Sequence, residues 1–173
     1  MQYYAVVYFP EIQLDQINTF RKKYDPQHKV IAPHITLIFP FSRILEKVIV
    51  QHLQTVTKDI QPFKISLSGL TKSFDDYLFL LIENGKNGVD NLHDTLYSGI
   101  LAGQLQRDIP FIPHITLGYF RSENDHFNDV LFETAKKEAE VMNLNFNTTL
   151  NSISLIRGDG ISPAEVVKTF HLG

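Results

Sequence analysis

The pentapeptide Pro33-His34-Ile35-Thr36-Leu37 returns unchanged as Pro113-His114-Ile115-Thr116-Leu117. At average residue usage such a pair arises by chance in roughly one chain in a hundred of this length, so the repeat points to one local structure used twice. Read against the two-residue period of a strand, His34 and Thr36 share one face while Ile35 and Leu37 point to the other, and the second copy divides in the same way. A proline cannot donate to a sheet ladder and suits the first position of a strand. Each histidine is therefore expected at a strand start, beside a hydroxyl and backed by two core residues.

The sequence around the two copies has a common order. Tyr3 to Phe9 reads as a buried strand, Pro10-Glu11 as a helix start, and Leu14, Ile17, Phe20 and Tyr24 as one helical face that Asp25-Pro26 terminates before the strand His34 to Phe39. Leu45, Ile49, Leu53, Val56 and Ile60 predict a second helix, closed by Pro62 before a strand at Phe63, Ile65 and Leu67. The Asp75-Asp76 turn joins this strand to Tyr77 to Glu83 as an antiparallel hairpin. Val89, Leu92, Leu96 and Ile100 then mark a helix ending near Gly103, ahead of the strand His114 to Phe120. Val130 to Met142 outlines a fourth amphipathic helix, and the strands Ser152 to Arg157 and Val166 to Leu172 are joined through Gly158-Asp159-Gly160. The expected fold class is α+β: two similar lobes of antiparallel sheet covered by helices, related by a pseudo-twofold about a central cleft. With no Pro, Gly or Ser-rich linker, residues 1–173 are read as one domain.

Composition removes several classes of function. A formal net charge of −3 without a basic tail lacks the footprint of a protein that coats nucleic acid, which leaves a small nucleotide or a short RNA as the fitting partner. There are no cysteines, so disulfides, thiolate zinc sites and cysteine nucleophiles are excluded together, in keeping with a reducing compartment. The start of the chain lacks the pattern of a signal peptide and no stretch suits a membrane span, so the expected location is the cytoplasm.

Two imidazoles across a cleft form an acid/base pair, because a reference pKa of about 6.5 leaves both protonation states accessible near neutrality. In-line displacement at phosphorus needs acid and base on opposite sides, which twofold placement of equal motifs supplies. Thr36 and Thr116 would hydrogen-bond the non-bridging phosphate oxygens, and the scheme needs neither metal nor cofactor. His34-Ile35-Thr36-Leu37 and His114-Ile115-Thr116-Leu117 resemble the paired His-x-Thr/Ser-hydrophobic signatures of the 2H phosphoesterases, the group that includes 2′-5′ RNA ligases and cyclic phosphodiesterases. The resemblance extends over nearly the whole chain. Arg21-Lys22-Lys23-Tyr24-Asp25-Pro26 and Leu96-Tyr97-Ser98-Gly99-Ile100-Leu101-Ala102-Gly103 are similar to a bacterial YjcG-like subgroup. It implies a bilobal fold and metal-independent hydrolysis of a nucleotide or RNA phosphodiester, commonly a 2′,3′-cyclic phosphate, with His34 and His114 catalytic. In the cyclic phosphodiesterase branch the second-motif histidine is the base and the first the acid; in the ligating direction the roles exchange.

One departure from that pattern concerns arginine. Ligase-type relatives carry one soon after the second motif, whereas Gly118, Tyr119 and Phe120 intervene here before Arg121, and Arg157 is the alternative candidate. His28, His52, His93, His126 and His171 lack a repeated setting and read as surface or partly buried histidines. Tyr3, Tyr4, Tyr8 and Phe9 are assigned to the core in preference to a base-stacking surface. The alternative to catalysis is a nucleotide- or RNA-end-binding module using the same cleft without turnover, and a purely structural role requires that the two motifs share no cleft.

Overall fold

Each predicted strand forms where the sequence alternates or runs apolar, and the strands join in an order that repeats about its middle. A computed structural model describes residues 2–122 and 124–173. The strands are β1 (Tyr3–Tyr8), β2 (Ile35–Phe41), β3 (Phe63–Lys72), β4 (Tyr77–Asn84), β5 (His114–Tyr119), β6 (Phe146–Leu150), β7 (Ser152–Gly158) and β8 (Glu165–His171). The helices are α1 (Asp15–Tyr24), α2 (Glu46–Thr57), α3 (Lys86–Leu96) and α4 (Asp129–Met142), with short 3-10 turns at Pro26–Lys29 and Gly99–Gln104.

The eight strands make one antiparallel sheet in the order β6-β3-β4-β5-β2-β1-β7-β8. Its two halves have the same pairing scheme: β2-β1-β7-β8 in the first lobe matches β5-β4-β3-β6 in the second. The expectation of two lobes holds, with the difference that they share a continuous sheet in place of two separate ones. The junction is narrow, for the only paired residues between β2 and β5 are Ile35 and Ile115, the middle residues of the two pentapeptides. The pseudo-twofold axis passes through that bridge.

The symmetry reaches into the ladder. In the first lobe pairing steps from Val6 opposite Ile38 to Val7 opposite Thr36, so Leu37 is an extra, bulged residue. In the second it steps from Leu78 opposite Gly118 to Phe79 opposite Thr116, leaving Leu117 as the extra residue. Both bulges fall one residue past the motif threonine and turn two consecutive residues into the core. Leu37, Ile38 and Leu117 are fully buried, together with Ile35, Leu78, Leu80 and Ile115. Burial of each such side chain contributes about 1.5–3 kcal/mol.

The helices cross over. α1, from the first lobe, packs on β5 of the second, and α3 packs on β2 of the first. Close approach of α1 requires glycine at 118, where a Cβ would stand 2.9 Å from Tyr24 Cβ. α3 in turn supplies the polar groups that the bulge in β2 leaves unpaired: His93 Nδ1 donates to the Leu37 carbonyl at 2.8 Å, and the Phe39 amide donates to Tyr97 Oη at 3.0 Å. His93, read from sequence as surface or partly buried, is thus a buried structural residue. Its neighbours Tyr97 and Phe111 complete the packing.

The helix bounds and one strand differ from the sequence reading: α3 stops at Leu96, so that Ile100 falls in the 3-10 turn Gly99–Gln104 and not in the helix expected to end near Gly103. α1 begins at Asp15, because Pro10 to Leu14 forms a turn in which the Ile12 amide reaches the Pro10 carbonyl, and the acidic Asp15 opens the first helical turn. α2 stops at Thr57, leaving Ile60 packed on the core from a loop. β6 is unforeseen: Phe146-Asn147-Thr148-Thr149-Leu150 is too polar to read as a core strand, yet it pairs with β3 at the sheet edge, where exposed Asn147 and Thr149 are tolerated.

Candidate functional site

With Ile35 opposite Ile115 in antiparallel register, His34 and Thr116 lie at one end of the bridge and Thr36 and His114 at the other. Directly opposed residues point to the same face, so both imidazoles and both hydroxyls project from one side of the sheet. The fractional exposures repeat accordingly: His34, Thr36, His114 and Thr116 are half-buried, whereas Pro33, Pro113 and the intervening isoleucines and leucines are buried. Each end of the cleft combines one imidazole with the hydroxyl of the other lobe. Sequence reasoning had paired each histidine with the threonine of its own motif.

The proline before each histidine sets up an orienting contact that the sequence did not reveal by itself. His34 Nδ1 donates to the Ala32 carbonyl at 2.9 Å and His114 Nδ1 to the Ile112 carbonyl at 2.5 Å. In both copies the acceptor is the residue before the proline. Since a carbonyl only accepts, Nδ1 carries the hydrogen and Nε2 is left with its lone pair directed away. The Thr36 and Thr116 hydroxyls have no hydrogen-bond partner among the described residues. Recurrence of X-Pro-His is the signal from which this contact could have been read.

The polypeptide packed beneath each ring penalises its charged form. Burial pushes His34 down to about 4, against a raising effect of the Ala32 carbonyl; the charges of Arg21 and His114 lower it further and Asp25 opposes them. Burial likewise pushes His114 down to about 4, opposed by the Ile112 carbonyl and Asp75. Each histidine is therefore neutral at pH 7 in the free protein. Between pH 6.5 and 4 the unfolded chain takes up protons that the folded one refuses, so stability falls as pH drops through this window and levels off below it. An NMR titration should find both rings with midpoints near 4, rising when inorganic phosphate is added; midpoints at the ordinary 6.5 would refute the burial argument.

The remaining candidates are placed elsewhere. Arg157 lies in β7 opposite Tyr4, on the helix-covered face, where it bonds Glu46 at 3.0 Å and Glu165 at 2.6 Å. Arg121 is held by Asp76 at 2.8 Å and Asp125 at 2.9 Å. Both guanidinium groups are committed to carboxylates. Tyr4 and Tyr8 pack in the main core, as the sequence reading expected, whereas Tyr3 and Phe9 border a small cluster of Ala5, Val7 and Ile156 on the cleft side. Phe9 approaches His34 with ring centroids 6.2 Å apart. Among the described residues no three His, Asp or Glu side chains converge as metal ligands, and no helix is long and apolar enough to cross a membrane.

Comparison with known proteins bears on the family and the fold. The family described as the 2′-5′ RNA ligase superfamily matches residues 9–161. A Bacillus cereus protein provisionally named a phosphoesterase is 32% identical over 140 residues, 78% of this chain and 78% of the relative. A Bacillus licheniformis protein of the same provisional name is 29% identical over 141 residues, 79% of this chain and 81% of the relative. Among solved structures, E. coli LigT complexed with 3′-AMP superposes with a TM-score of 0.66 at 19% identity, covering 99% of this chain and 98% of LigT. The chain belongs to the 2′-5′ RNA ligase superfamily, the 2H phosphoesterases that its repeated motif resembles.

Proposed function

We propose that this protein is a phosphoesterase that hydrolyses a nucleotide or short RNA phosphodiester, with a 2′,3′-cyclic phosphate as the first substrate class to test, by acid/base catalysis between His34 and His114. The observation that carries this reading is the antiparallel bridge at Ile35 and Ile115, which sets one imidazole and one free hydroxyl at each end of a single cleft. A phosphate centred over the bridge would receive the Thr36 and Thr116 hydroxyls on its non-bridging oxygens. His114 Nε2 takes a proton from water as the water oxygen bonds to phosphorus. The bond to the ester oxygen breaks on the opposite side, and that oxygen takes the proton held by His34.

The depressed histidines shape the pH dependence. A neutral His114 is ready as base, but His34 must be charged to act as acid, and the negative phosphate favours that charge as it binds. Since kcat/KM reports the free protein, it should fall about tenfold per pH unit above the two midpoints near 4, while kcat, which reports the bound state, should hold to higher pH. The test is turnover of 2′,3′-cyclic nucleotides and short RNAs by purified protein in the presence of chelator. Activity under chelator supports the reading; binding of the product nucleotide without turnover of any diester favours a binding module.

A further inference from the structure

The lobes are equivalent in backbone but not in what they present to the cleft. Where Val7 stands opposite Thr36 in the first lobe, Phe79 stands opposite Thr116 in the second, and Ala5 and Tyr77 occupy the next matching positions on that face. Ala5 and Val7 are sealed beneath Ile156, Tyr3, Ile31 and Ala164. Tyr77, the buried Phe79 and Tyr119 form a row: Phe79 stacks on His114 with centroids 3.4 Å apart and planes 16° apart, Tyr77 lies 6.0 Å from Phe79 at 21°, and Tyr77 meets Tyr119 at 4.6 Å. Neither Tyr77 nor Tyr119 packs into either hydrophobic cluster, although the chain's other five tyrosines do. Tyr77 and Tyr119 are half-buried, and their hydroxyls have no hydrogen-bond partner among the described residues.

Cross-strand aromatic pairs stabilise a sheet, which accounts for Tyr77 meeting Tyr119. It does not account for a row that starts on the candidate catalytic ring, continues through buried Phe79 to two half-buried tyrosines and exists in one lobe only. We infer that Tyr77 and Tyr119 form a stacking shelf for the base of a nucleotide whose phosphate lies between His34 and His114, a reading that rests on the phosphoesterase proposal for the position of the phosphate. Tyr119 follows Thr116 by three residues, about 10 Å of strand, which suits the reach from a phosphate across a ribose to its base. Aromatic faces accept every base, so the shelf selects for a nucleoside without selecting which one. It also orients the substrate. Tyr119 extends β5 toward the end of the cleft where His34 and Thr116 lie, so the nucleoside's own ester oxygens face His34 and the far side of phosphorus is left to water and His114.

Calorimetric titration of the whole protein with 3′-AMP and with inorganic phosphate tests the shelf. Wild-type protein should bind 3′-AMP more tightly than phosphate. Tyr119→Ala and Tyr77→Ala should each weaken 3′-AMP by about 5- to 150-fold while phosphate affinity stays the same, and Tyr119→Phe should restore the loss. Unchanged phosphate binding also shows that the variants are folded. The shelf is overturned if the alanine variants hold 3′-AMP as well as wild type, if they lose both probes equally, or if neither probe binds the wild-type protein. Nucleotide bound through the tyrosines by a protein that hydrolyses no diester would sink the phosphoesterase reading and leave the shelf standing.

Discussion

Replacing His34 or His114 by alanine should lower kcat on a 2′,3′-cyclic nucleotide by about 10²- to 10⁴-fold, with the pair acting as a unit so that the double variant loses far less than the product of the single losses. Neither change threatens the fold. Both rings project from the surface of the sheet, while Ile35 and Ile115 beneath them hold the core. The reason for the size of the effect is that each imidazole keeps a nitrogen available for proton transfer: Nδ1 is committed to the Ala32 or Ile112 carbonyl, and Nε2 has no hydrogen-bond partner among the described residues. Thr36→Val and Thr116→Val keep the branched shape that the strand favours and remove only a hydroxyl, so they should cost less, on the order of 10²-fold at most. Steady-state kinetics of the purified variants measures all of these. Turnover that survives in His34→Ala, His114→Ala would rule out the acid/base scheme.

Much of this site was legible because an exact repeat carries geometry. Given the period of a strand, the letters of Pro-His-Ile-Thr-Leu assign the imidazole and the hydroxyl to one face, and the observed burial of Ile35, Leu37, Ile115 and Leu117 follows that pattern in both copies. What the letters could not carry is the register between the copies. Only the pairing of Ile35 with Ile115 decides that His34 neighbours Thr116 rather than sharing its end of the cleft with Thr36. The aromatic row was hidden for a different reason. Tyr77 to Glu83 is apolar on both faces, so sequence offers no alternation to separate Tyr77 and Phe79, on the cleft side, from fully buried Leu78 and Leu80. β6 was missed because its polar residues are those an edge strand permits, and edge position is a property of the sheet. The crossed packing of α1 and α3 was equally invisible, since amphipathic spacing marks the buried face of a helix but not the strand that covers it.

That crossed packing carries a large expected effect on stability. α1 brings Arg21 and Asp25 under the sheet as an ion pair whose side chains are 3% and 2% exposed, with Nε and a terminal nitrogen of Arg21 donating to one Asp25 oxygen at 2.8 and 2.7 Å. At the matching place in the second lobe stand His93 of α3 and Tyr97 just past its end, which bond the bulged strand. Asp25 has further partners: its other oxygen accepts the Gln27 amide at 2.8 Å and its carbonyl accepts His28 Nδ1 at 2.8 Å, which shapes the turn leading to Ala32 and His34. Asp25→Ala would strand a buried guanidinium and uncap that turn. Equilibrium urea unfolding should show a loss of about 3–5 kcal/mol, with a lower midpoint and an unchanged slope. Arg21→Met combined with Asp25→Asn removes both charges and keeps a capping oxygen, so it should recover most of that loss. Asp25→Asn alone should also drive His34 further down in pKa, because it deletes the charge that raises it and leaves Arg21 unopposed. If Asp25→Ala unfolds within about 1 kcal/mol of wild type, the pair is solvated and the buried-charge argument fails. If it is destabilised while His34 titrates as before, the pair supports the lobe junction without tuning the histidine, and the two roles separate.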